Sequence, residues 1–145
     1  MSQVIQAART LLLGTRSLTM RVRLLAAVMV AMPGIAAAQS ADDGKAVFNK
    51  CRACHQVGPG AKNMVGPPLN GLFGRKAGTM EGFNYSEANK NSGITWDQAT
   101  FREYIKNPKA KIPNTKMVFP GLNDEKDIND LLAFLEQYGP DGQTK

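Results

Sequence analysis

The chain has 145 residues, 43% of them hydrophobic and 21% charged, so it is neither a disordered polymer nor a multi-span membrane protein. Two cysteines cannot staple a small secreted fold, and a single histidine excludes any multi-histidine metal cage. The net charge of +6 suggests nucleic acid, but Arg9, Arg16, Arg21 and Arg23 lie in an acid-free stretch of 38 residues, and the remaining 14 bases face 12 acids, too even a balance for a strong pull on phosphates.

The first element is a targeting segment. Arg21 and Arg23 lead into an apolar run over residues 24–35, Pro33-Gly34 breaks it, and Ala36-Ala37-Ala38 supplies the small-x-small pattern of a cleavage site. That is the signature of a secretory signal peptide, and the uninterrupted run 24–32 is too short to span a bilayer. Residues 1–38 are therefore read as a signal peptide, with Met20 as an alternative start. Residues 39–145 are read as one domain exported to the periplasm. An uncleaved anchor holding that domain on the membrane is one alternative, and a transit peptide is another.

Ser40 and Asp43 form a capping-box-like pair ahead of a short helix over 45–50. That helix runs into Cys51-Arg52-Ala53-Cys54-His55, a C-x-x-C-H string, which is the attachment motif of c-type haem. Two cysteines three residues apart can each add to one vinyl group along a single porphyrin edge, and the next residue, His55, can bind the iron through Nε2. The rival readings are a zinc site, which lacks a fourth ligand, a thioredoxin-like dithiol, which lacks its βαβ context, and a plain disulfide, which leaves the loops unexplained.

Residues 56–82 hold seven glycines and Pro59, Pro67 and Pro68, a long stretch without regular structure. Inside a compact domain such a stretch needs something other than protein to wrap. A short helix is expected over 86–91. Thr95 and Gln98 offer a second capping box, with a helix from Trp96 to Asn107 that stops before Pro108. A loop follows over 109–122. The last helix starts at Asn123, and its Ile128, Leu131, Leu132, Leu135 and Tyr138 form one apolar stripe. No alternating strand is seen. The class is all-α, with about four or five short helices and long loops.

The iron needs a sixth ligand, and no second histidine exists. Met64 follows His55 by nine residues, too few to pass comfortably around the macrocycle, and Met80 sits in a weakly punctuated segment. Met117, in a proline-bounded loop 62 residues after His55, is the preferred ligand.

The strings CRACH, VGPPLNGLFGRKAG, GFNYSEANKNSGITW, YIKNPKAKIPNTKMVFPG and LLAFLEQY resemble class I cytochrome c, the mitochondrial type and its soluble alphaproteobacterial relatives. The resemblance implies a cytochrome c fold wrapped around one covalently bound haem c and an electron-transfer function. It implies that the Pro67 carbonyl accepts the Nδ1 proton of the axial histidine. It also implies that Arg75, Tyr85 and Trp96 hold the propionates, that Asn89, Tyr104 and Thr115 form a hydrogen-bond network near Met117, and that Phe119 covers the haem edge. Gly44 and Phe48 would pack the first helix on the last. Asn114 stands where a glycine is usual, and asparagine tolerates the left-handed turn required there.

Both axial positions would then be filled, which suits a one-electron shuttle rather than a haem enzyme or gas sensor. Lys50, Lys106, Lys109, Lys111 and Lys116 would ring the edge and meet redox partners. A cytochrome bc complex, a terminal oxidase, a reaction centre and a periplasmic dehydrogenase are all compatible. A monomer is expected.

Overall fold

The structure, a computed structural model, describes residues 40–145. The apolar run 24–35 and the expected cleavage site at Ala36-Ala37-Ala38 lie outside the described residues. Five helices are described: α1 (Ala41–Phe48), α2 (Glu87–Lys90), α3 (Gln98–Lys106), α4 (Pro108–Lys111) and α5 (Glu125–Glu136). Among the described residues there is no strand, only two isolated bridges, Lys76 with Thr95 and Tyr138 with Thr144. No described helix is long and apolar enough to cross a membrane.

Each helix begins where a short polar side chain satisfies the orphan amides of its first turn. Ser40 accepts from the Asp43 amide, so α1 starts four residues ahead of the expected Lys45. Ser86 accepts from Asn89 and opens α2, as expected. The cap of α3 is Asp97, which accepts from the Thr100 amide, and not the expected Thr95. Thr95 is used elsewhere, in the bridge to Lys76. α4 was not expected: Asn107 accepts from the Ala110 amide and Pro108 takes the first helical position, where its missing N–H costs nothing. α5 opens at Asp124 rather than Asn123, and Tyr138 falls beyond its end.

α1 crosses α5 closely. Gly44 makes this possible, since a Cβ there would stand 2.0 Å from the Asp130 carbonyl oxygen. Phe48 packs on Phe134 with ring centroids 5.4 Å apart. The expected stripe of α5 is the centre of the core, with Ile128, Leu131, Leu132 and Leu135 all buried. α3 turns Phe101, Tyr104 and Ile105 inward.

The long stretch over 56–82 contains no helix, but it is tied down. The Gly74 and Ala77 amides donate to the Trp96 and Ile94 carbonyls, both at 2.8 Å, and the Trp96 amide donates to Arg75 at 2.9 Å. The loop thus closes against α3's entry and leaves a hollow between itself, the turn after α1, and the 112–122 loop.

Candidate functional site

That hollow is a cavity of about 250 Å³. Its first wall is the turn leaving α1. The Cys51 amide donates to Phe48, and the Cys54 and His55 amides both donate to the Cys51 carbonyl. This turn sets both thiols and the imidazole along one side of the cavity. Both cysteines are free and half-buried. Burial pushes the Cys51 thiol up to about 11, against the pull of Lys50. Reactive dithiols need depressed thiol pKa values, so this environment is wrong for thioredoxin-like chemistry.

The His55 ring is fixed from behind. Its Nδ1 lies 2.7 Å from the Pro67 carbonyl oxygen, which can only accept, so Nδ1 carries the proton and Nε2 keeps its lone pair. Burial, with a smaller push from Arg75, outweighs that hydrogen bond and lowers the imidazole pKa, keeping the ring neutral. Gly66 sits flat against the ring. A Cβ on it would lie 2.3 Å from the His55 Cε1, so no side chain fits there.

The cavity is also lined by Met117. The Tyr104 hydroxyl donates to its sulfur at 3.1 Å, and the Met117 amide donates to the Thr115 hydroxyl at 3.3 Å. Burial raises the Tyr104 pKa, which keeps the phenol protonated as a donor. The loop reaches this position through Asn114, whose φ of 65° is the left-handed turn expected of it. Of the three described methionines only Met117 lines the cavity. Met64 is exposed, and the Met80 sulfur lies 4.0 Å from an Arg75 nitrogen.

The other expected residues also line the cavity. Arg75 donates to the Pro68 and Asn70 carbonyls at 3.1 and 3.0 Å, and burial lowers its pKa. Tyr85, half-buried, is raised by burial and pulled back by Arg75. Trp96 meets Tyr104 edge to face at 4.9 Å. Asn89 is buried on the cavity wall, and its Oδ1 has no partner. Phe119 is half-buried at the wall. Thus Cys51, Cys54, His55, Pro67, Arg75, Tyr85, Asn89, Trp96, Tyr104, Thr115, Met117 and Phe119 are brought together around one space. Sequence reasoning missed Leu69, Leu72, Phe83, Phe101 and Ile105, which, with Val65 and Val118, add to the apolar lining. Their only signal is hydrophobicity, which does not separate a core contact from a cofactor contact.

The lysines divide. Lys50 and Lys116 stand at this cavity, Lys50 paired with Asp127 at 2.7 Å and Lys116 donating to the Asn84 carbonyl at 3.0 Å. Lys106 pairs with Glu125 and Lys111 with Glu103, while Lys109 is exposed.

These residues fit a haem c. The walls are largely apolar. Two free thiols stand beside a neutral imidazole with an available Nε2, and a thioether lines the same cavity.

Comparison with known proteins agrees. The family model described as Cytochrome c matches residues 41–139. Cytochrome c2 of Blastochloris viridis is 59% identical over 118 residues, covering 81% of this chain and 93% of that protein. Cytochrome c-550 of Bradyrhizobium diazoefficiens is 64% identical over 102 residues, 70% of this chain and 75% of that protein. Among solved structures, cytochrome c2 from Rhodospirillum centenum superposes with a TM-score of 0.66 at 41% identity, covering 70% of this chain and 99% of that one.

Proposed function

The chain belongs to the cytochrome c family, a single-haem electron-transfer protein and not an enzyme, and on that premise we propose how its own residues perform the transfer. Cys51 and Cys54 would hold haem c by two thioethers, and His55 Nε2 and the Met117 sulfur would be the iron's protein ligands. The observation that carries this assignment is the cavity itself, lined by a ring that Pro67 fixes and by Met117 alone of the described methionines.

Bound haem c supplies an iron that alternates between ferrous and ferric and so takes up or gives away one electron. The protein's part is to keep everything else still. Pro67 fixes the His55 tautomer and raises its basicity. Tyr104 restrains the Met117 side chain, and Thr115 restrains its backbone amide. A thioether ligand and apolar walls both favour the ferrous state, which raises the potential. With His55 and Met117 both serving as ligands, the iron would keep no open position for a substrate.

Docking at the cavity mouth would use Lys50 and Lys116, supported by Lys106, Lys109 and Lys111, against acidic surfaces of redox partners such as a cytochrome bc complex, a terminal oxidase, a reaction centre or a periplasmic dehydrogenase. Residues 1–38 direct the domain to the periplasm and are then removed.

The test is spectroscopic. The ferric protein should show the weak near-infrared sulfur-to-iron charge-transfer band at neutral pH. Met117→Ala should abolish it, keep the haem covalently attached, lower the potential and admit cyanide. Met64→Ala and Met80→Ala should leave the band in place. A band that survives Met117→Ala, or haem extractable by acid-acetone, would overturn the assignment.

A further inference from the structure

The loop behind His55 is held from outside the cavity. Its ends meet in a reciprocal buried amide pair: the Gly58 amide donates to Asn70 Oδ1 at 2.8 Å, and Asn70 Nδ2 donates to the Gly58 carbonyl at 2.9 Å. Between them lie Gly66, flat against the imidazole, and Pro67, whose carbonyl accepts from Nδ1.

After α5 the chain folds back over that same pair. The Gly139 amide donates to the Gln143 carbonyl and the Lys145 amide to the Gln137 carbonyl, both at 2.9 Å, while Tyr138 bridges to Thr144. The resulting hairpin touches both ends of the loop. The Gly71 amide donates to the Tyr138 carbonyl, and a Cβ on Gly71 would stand 2.8 Å from the Pro140 Cα. Gly142, at φ +79°, faces the other end. A Cβ there would stand 2.3 Å from the Gly58 oxygen and 2.6 Å from Asn70 Nδ2. No residue of 139–145 lines the cavity.

We infer that residues 139–145 are a strap that positions the His55 ring by clamping the base of the 58–70 loop. Gly142, Asn70 and Pro140 are positioning residues, and the inference rests on the reading of His55 as an iron ligand. A loop clamped at both ends opens only together with the strap. With one end free, it opens locally at lower cost, and the Pro67 carbonyl leaves Nδ1. The Nδ1 hydrogen bond makes Nε2 the stronger donor and so favours the ferric state. Loosening the strap should therefore raise the reduction potential.

The experiment compares the haem-loaded protein with two variants, Gly142→Ala and a chain ended at Gly142, which loses the hairpin bonds but keeps the glycine. If the first fails to fold, the second carries the measurement. NMR exchange of the His55 Nδ1 proton and of the Gly66 and Leu69 amides should quicken by about tenfold or more, with the Leu122 amide on the Met117 side unchanged. The potential should rise alongside. Exchange rates and a potential equal to the parent's, with only the melting temperature lowered, would reduce the segment to a structural cap. Absence of iron-shifted His55 ring signals in the unaltered protein would instead overturn the ligand reading, and this inference with it.

Discussion

The Tyr104 hydroxyl stands 3.1 Å from the Met117 sulfur as its donor, and both residues line the cavity. A donor there withdraws electron density from the thioether and so disfavours the ferric state. Tyr104→Phe removes it while keeping the ring's packing on Trp96. The potential should fall by ~20–60 mV, the equivalent of one ordinary hydrogen bond. An unchanged or raised potential would mean that the contact is packing alone.

The α1–α5 crossing has no room for a methyl group. A Cβ on Gly44 would meet the Asp130 carbonyl at 2.0 Å and the Phe134 Cβ at 2.7 Å, backbone and branch point rather than a flexible tip. Alanine is the better helix former by ~1 kcal/mol, but overpacking of this kind costs more. Gly44→Ala should lower the unfolding free energy by about 2 kcal/mol, read from the urea midpoint at constant m-value.

Acid should loosen the same crossing. Asp130 is buried and accepts from Lys126 Nζ at 2.6 Å and from the Ser40 amide at 2.8 Å, while Lys126 also reaches Asp43 at 2.8 Å. The Lys126 hydrogen bond, then that of Ser40, holds the Asp130 carboxyl below its ordinary value of 3.8. A depressed carboxylate contributes stability above its unfolded pKa and loses it as pH falls through the folded one. Asp130→Asn should therefore be less stable at neutral pH and show a shallower loss of stability at acid pH than the parent. Parallel acid limbs for the two proteins would remove Asp130 from the account.

Much of this was legible in the chain because the informative residues are chemically singular. Cys51, Cys54 and His55 are the only residues of their types, and a haem site needs little more to be located. The α5 stripe was equally plain, since four of its five expected members are buried in the helix. The misses share a cause: one residue type serves two opposite purposes. Pro108 ends α3 but also begins α4, because a proline that cannot continue a helix is well suited to starting one. Thr95 and Asp97 both cap well, and the choice went to Asp97 because Thr95 pairs with Lys76, a contact nineteen residues away in sequence. The strap was invisible too. Gly142 lies in a short polar tail, and nothing local says that it closes on Gly58 and Asn70.

Charge at the cavity mouth gives a final prediction. Lys50 and Lys116 are the two lysines on the cavity wall, and Lys50 already faces Asp127 at 2.7 Å. At physiological ionic strength charges act over ~8 Å, so a partner nearing the mouth feels Lys50, Asp127 and Lys116 before it feels Lys106 or Lys111, which pair with Glu125 and Glu103 away from it. Lys116→Gln and Lys50→Gln should slow second-order electron transfer with an acidic redox partner about two- to fivefold at low salt, with smaller losses for Lys106→Gln and Lys111→Gln. Asp127→Asn should do the opposite, because it removes the one acid paired at the mouth and leaves Lys50 uncompensated. All of these differences should shrink as salt is added, since screening acts on encounter and not on the electron step. Stopped-flow rates across an ionic-strength series would measure them. If Asp127→Asn slows the reaction, or if the rates ignore salt, partners approach by another face and the mouth lysines serve only solubility.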